Sequence, residues 1–188
     1  MTREHFPYMT DVAVEFVSTE DLIAQNPLDN TNNGSTCSFK VYDPGKDQLT
    51  RFAQPTSETL IAVTDPSAFE VGDQVEITLA NGNIHTSTVV GIDDDMEWIQ
   101  IAGGLPSATD TDARVRVLLG TEVTMDEFGT ARIGSKEYGF RGTLAASHPV
   151  HVLDQEFNIE IKFVGAPGGG LDALDLICGV IKPRGECR

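Results

Sequence analysis

Val75, Ile77 and Leu79 alternate with Glu76, Thr78 and Ala80. A period of two puts one set on each face of a pleated strand, which predicts a half-buried strand here. Asn81-Gly82 follows, and this pair suits a type I′ turn because both central residues need positive φ. The chain is therefore expected to double back, with Ile84, Thr86, Thr88 and Val90 continuing the alternation on the return strand. Asp93–Asp95 predicts a further turn, Met96–Ala102 a third strand, and Val115 and Val117 a last one. Residues 58–119 thus predict a small antiparallel β module, a barrel or a sandwich, with the barrel expected.

Alternation recurs outside that stretch. Val12, Val14 and Phe16 predict a first strand, and Cys37, Phe39 and Val41 a second, closed by an Asp43-Pro44-Gly45 turn. The text from Lys46 to Thr59 is irregular. Beyond Gly120, Val123 and Met125 predict a short strand ending in a turn at Asp126–Gly129. Tyr138, Phe140, Gly142 and Leu144 predict another. Phe157, Ile159, Ile161 and Phe163 predict the clearest strand of all, and Leu174–Lys182 a last β segment. Two strands alone are marginal in water. The economical organisation joins residues 11–57 and 120–183 into one β-sandwich body, with 58–119 inserted at a loop. About seven strands over about 100 residues is the size of an immunoglobulin-like domain. Trp98, the sole tryptophan, falls in the insert, so the Cys…Trp…Cys framework of antibody domains is absent. A linear run of β layers is the alternative. The expected fold class is all-β: an immunoglobulin-like β-sandwich with an inserted small barrel, an N-terminal arm (1–10) and a C-terminal tail (184–188).

Composition supports this picture. The 18 Gly and 9 Pro among 188 residues fall between short apolar runs, as many turns require. The net charge of −16 disfavours ordinary nucleic-acid binding, since such a surface repels phosphate. The charge has two readings: solubility, or a wall past which nucleic acid slides without sticking. Three cysteines (Cys37, Cys178, Cys187) exclude a fully paired disulfide framework and predict free thiols in a reducing compartment. No apolar run approaches the ~20 residues of a membrane span. The N-terminus lacks the apolar core of a secretory signal, so maturation in a cytoplasm is expected.

Candidate chemistry is sparse. His148 and His151 flank Pro149, which opposes the helix that would converge them on a metal. Asp93–Asp95 with Glu97 offers oxygens for Ca²⁺, joined by Asp65, Asp73 or Asp110 if the fold gathers them. The loop lacks EF-hand spacing, and a solvated turn is the better explanation, since acidic turn residues are common for local reasons. Gly165–Gly170 has no following Lys-Ser/Thr, so it is no phosphate loop. Nucleophile-elbow, zincin and dinucleotide fingerprints are missing. The sequence predicts no enzyme, no cofactor and no metal. Arg114 and Arg116 share one strand face, and Lys182, Arg184 and Arg188 cluster near the C-terminus. These basic spots, with Phe6 and Tyr8 of the arm, are the candidate subunit contacts, because opposite charge on facing edges fixes register.

The Ala68-Phe69-x-Val71-Gly72-Asp73 turn, the Asn81-Gly82 hairpin with His85-Thr86 after it, and Gly104-Leu105-Pro106-Ser107-Ala108 resemble a small β-module of tailed-bacteriophage virion proteins. Tyr138–Leu144 followed by Val164-Gly165 is similar to the closing strands of immunoglobulin-like phage neck and tail proteins. The Asp93–Asp95 turn departs from that pattern. The resemblance spans residues 60–165 and implies a non-enzymatic virion component assembled in the host cytoplasm. It implies a homo-oligomeric ring in the neck, between the portal or its adaptor and the tail terminator or tube, around a channel through which DNA passes without specific binding. The alternative is a capsid decoration protein, or a tail-fibre or baseplate module that binds a host-surface ligand. The low aromatic content (7%) argues against sugar binding.

Overall fold

The computed structural model describes residues 3–7, 12–18, 36–128, 138–145, 147–149, 155–164 and 176–184. They are mostly β, without an α-helix and with one short 3₁₀ turn at Pro66–Ala68. The strands are β1 (Arg3–Pro7), β2 (Val12–Ser18), β3 (Thr36–Leu49), β4 (Leu60–Ala62), β5 (Gln74–Thr78) and β6 (Ile84–Asp93). They continue with β7 (Trp98–Ile101), β8 (Arg114–Leu118), β9 (Val123–Phe128), β10 (Tyr138–Leu144), β11 (Phe157–Val164) and β12 (Leu176–Arg184). All pairings with a described register are antiparallel except β1 with β12. Contacts divide the chain into two compact units. One is Met1–Val41 with Thr121–Arg188, and the other is Tyr42–Gly120.

The Tyr42–Gly120 unit is an open antiparallel run in the order β3–β8–β5–β6–β7–β4. Its core gathers Ile61, Val63, Phe69, Val75, Ile77, Leu79, Val89, Ile99, Ile101, Leu105, Val115 and Val117. β4 meets the end of β3 through a single bridge, Thr50 with Val63, and through Arg51 N–H to Ala62 O at 3.0 Å. The boundary falls at Tyr42 rather than at residue 58. The segment assigned to the body as irregular text is stitched into this unit instead. Tyr42 pairs with Leu118 and Gln48 with Val115. The fully buried Thr50 donates its hydroxyl to Asp110 O at 2.8 Å and accepts from Ala113 N–H at 2.9 Å. Gln54 and Thr109 exchange backbone and side-chain bonds further on.

Three predicted turns change character. Asp43-Pro44-Gly45 does not reverse the chain: β3 runs through it, with a register shift between Asp43 and Gln48. This is a bulge, in which extra residues leave the ladder without ending the strand. Asp43 Oδ1 accepts the Gly45 N–H at 2.9 Å, and Lys46 Nζ reaches Asp73 at 2.9 Å. Asp126–Phe128 is likewise strand, paired with β10.

At Asn81-Gly82 the chain does double back, but not through a type I′ turn. Gly82 has φ +81°, whereas Asn81 is not among the positive-φ residues. Gly82 N–H donates to Leu79 O, and Leu79 N–H to Asn83 O. A three-residue loop of this kind ends in a left-handed glycine. It opposes Ile77 to His85 and Val75 to Ser87, one residue away from the pairing a two-residue loop would set. A one-residue slip exchanges the faces of a strand. Ser87 and Val89 therefore face the core, while Ile84 and Val90 are exposed.

In the other unit, Cys37, Phe39 and Val41 of β3 are buried, as are Phe157, Ile159 and Ile161 of β11. β9 gives Val123–Met125 to β3 and Asp126–Phe128 to β10, and β10 pairs onward with β2. β11 pairs with β12. The buried Gly142 of β10 leaves no room for a side chain, because a Cβ there would stand 2.6 Å from Phe39 Cε1 and 3.1 Å from Met125 Cγ. Cys37 Sγ contacts Met125 Sδ at 3.5 Å, and burial pushes its thiol up to about 12. The expected arm (1–10) contains a strand: Arg3–Pro7 lies parallel on Val180–Arg184.

Candidate functional site

The two arginines expected at a subunit contact have different surroundings. Glu76 and Arg116 oppose each other on β5 and β8, on the face turned away from Val75, Ile77, Val115 and Val117. Alternation puts them there. Glu76 is nonetheless only 2% exposed. Its Oε2 accepts the Tyr42 hydroxyl at 2.7 Å and stands 3.5 Å from an Arg116 guanidinium nitrogen. The guanidinium carbon lies 3.9 Å from the Tyr42 ring centroid. Stacking on the ring and pairing with the carboxylate are both favourable for a planar, weakly hydrated cation. Arg116 is thus engaged inside its own unit, with its side chain 13% exposed. It forms a buried polar junction where the chain enters and leaves that unit, since Tyr42 and Leu118 are ladder partners.

Arg114 is the accessible one of the pair. Its Nε donates to both oxygens of Asp47 at 2.9 and 3.0 Å, and its side chain is half exposed. A surface pair of this type contributes only about 0–1 kcal/mol to stability. Lys182 and Arg184 lie on β12 opposite His5 and Pro7, and Phe6 lies opposite Pro183. The backbone therefore gathers the N-terminal and C-terminal candidates at one sheet edge. Tyr8 and Arg188 lie outside the described residues.

A second polar cluster escaped the sequence reading. Lys46, carried by the β3 bulge, pairs with Asp73 and approaches Glu70 at 3.7 Å. Burial pulls its ammonium down, but the hydrogen bond and charge of Asp73, with Glu70 and Asp43, outweigh that and hold it above its ordinary value. Asp73 also accepts the Glu70 N–H at 2.8 Å, so the lysine clamps the 70–73 turn to the bulge. The adjacent Asp43 in the bulge was the available signal.

The remaining candidates are local. Asp93 Oδ1 accepts the Met96 N–H at 3.0 Å, closing its own turn. Among the described residues, no group of three or more His, Cys, Asp or Glu side chains could hold a metal ion. His148 N–H donates to Ala145 O at 2.8 Å, and His151 lies outside the described residues, as does the 165–170 loop. No described helix is long and apolar enough to cross a membrane. No protein-family model and no curated protein matches this chain.

Proposed function

We propose that this chain is a non-enzymatic structural component of a tailed-phage particle. Copies form a homo-oligomeric ring in the neck, between the portal and the tail, around the DNA channel. The observation that carries this reading is the compact all-β unit Tyr42–Gly120 set within the chain, entering and leaving on paired strands at Tyr42 and Leu118. Such a unit can extend from a body to a neighbour without disturbing the body, because its ends lie side by side. An immunoglobulin-like sandwich for the body is supported by β9, which serves β3 with one half and β10 with the other, and by Gly142 pressed on Phe39. A small barrel for the inserted unit is supported by the Thr50–Val63 bridge between its terminal strands. The charge of −16 suits a channel wall, since DNA slides past a surface that does not bind it. A head-to-tail interface closes into a ring when its rotation permits. Arg114, beside Asp47, offers the exposed basic contact, and neighbouring neck or tail proteins are the outer partners.

Negative-stain imaging of the purified full-length chain tests the reading. Rings with a central hole support it. A stable monomer or trimer that binds host-surface glycans would favour the decoration or tail-fibre alternative and overturn it.

A further inference from the structure

β1 is held differently from every other strand with a described register. It pairs in parallel, and parallel ladders are slightly weaker per residue than antiparallel ones. It stands at the end of the strand order. β12 gives Leu176–Ile181 to β11 and Val180–Arg184 to β1, so Val180 and Ile181 alone are flanked on both sides. Among the described pairings, Lys182–Arg184 have β1 as their sole neighbour. The ladder there is a two-stranded ribbon running past β11, and such ribbons are marginal in water. Pro7 and Pro183 each remove an amide donor from it.

The connection adds to this. β1 ends at Pro7 and β2 begins at Val12, yet β1 pairs with β12 while β2 pairs with β10. The chain leaves one ladder and joins another across residues 8–11. Short connections between elements on different ladders favour exchange of a terminal element between copies. The contacts of an exchanged strand are the same in either arrangement, so exchange costs little. Charge favours a second copy as the occupant. Arg3, Lys182 and Arg184 against Glu4 make this ribbon basic in a chain of net −16, so copies repel least where these segments meet.

We propose that β1 is a donated strand: Arg3–Pro7 of one copy adds in parallel to Val180–Arg184 of the next. Each copy donates one strand and accepts one. Main-chain hydrogen bonds supply affinity in such strand addition. The inference rests on the reading of the chain as a self-assembling ring component.

His5 and Lys182 are direct register partners, so cysteines there test the donation. Differently tagged His5→Cys and Lys182→Cys chains, each also carrying Cys178→Ser and Cys187→Ser, are co-expressed and mildly oxidised. Donation predicts a covalent pair containing one chain of each kind, and a ladder of covalent oligomers from the double variant His5→Cys/Lys182→Cys. The Glu4→Cys and Ile181→Cys pair repeats the test at the adjacent register position. Internally bridged monomers alone, or no bridge at either position, overturn the donation. Native mass of the untreated chain separates the two ideas. Rings whose bridges all lie within single chains defeat the donation and leave the ring reading standing, whereas a monomer defeats both.

Discussion

Replacing Tyr42 by Phe, or Glu76 by Gln, should destabilise the Tyr42–Gly120 unit strongly. The Tyr42 hydroxyl donates to a carboxylate at 2.7 Å with both residues 2% exposed. A hydrogen bond to a charged group is worth about 1.5–3 kcal/mol. Tyr42→Phe should lose about that amount, because the ring and its stacking on Arg116 remain. Glu76→Gln keeps an acceptor for the hydroxyl but removes the negative charge 3.5 Å from Arg116. Breaking a buried ion pair costs about 3–5 kcal/mol, and the residual exposure of Arg116 places this one near the lower end. Urea unfolding followed by tryptophan fluorescence reads both, since Trp98 lies in the same unit. With a slope of about 1–3 kcal/mol/M, the midpoint should fall by about 0.5–3 M for Tyr42→Phe and by about 1–3 M for Glu76→Gln. The double variant should fall short of the sum by about 1 kcal/mol, because the two residues share one contact. Single variants within about 0.5 kcal/mol of the parent, with no coupling, would refute the junction and return Arg116 to the surface contacts.

Arg114→Glu should cost the fold at most about 1 kcal/mol, as surface pairs do, while weakening assembly in native mass spectra. Equal destabilisation by Arg114→Glu and Arg116→Glu would contradict the different roles assigned to them. Gly142→Ala should destabilise the other unit by about 1–3 kcal/mol in thermal or urea melts, since overpacking displaces Phe39 or Met125. A neutral outcome would contradict the close approach of Gly142 to Phe39. Cys37 gives a pH dependence. Its folded thiol is raised from 9.0 to about 12, so its contribution is fully present below pH 9 and lost as pH rises toward 12. The stability of the parent should therefore fall more steeply than that of Cys37→Val across that window, and parallel curves would contradict the burial of the thiol.

Much of the strand content was legible because alternation is a local signal. Val75–Leu79, Val115–Val117 and Phe157–Ile161 bury the residues their period assigns. The turn at Asn81-Gly82 was legible in place but not in kind. Because Gly82 alone takes the left-handed conformation, the return strand slipped by one residue and its apolar Ile84 and Val90 turned outward. Asp43-Pro44-Gly45 misled because its turn chemistry is satisfied inside a bulge, where Asp43 takes the Gly45 N–H and β3 continues. The expected boundary at residue 58, in place of Tyr42, followed from that misreading. The parallel pairing of Arg3–Pro7 with Val180–Arg184 has no local signature, since the partners are separated by nearly the whole chain. At the candidate contacts, the shared strand face of Arg114 and Arg116 was legible. Their separation into an exposed and a buried partner was not, because it depends on Tyr42 and Asp47 arriving from another strand.

The central claim is self-assembly into a closed ring. Native mass spectrometry of the full-length chain across a dilution series tests it most directly. The account predicts a single oligomer of fixed copy number that persists on dilution and shows a central hole when imaged. A chain that stays monomeric at every concentration, or grows into open polymers of unlimited length, would contradict it.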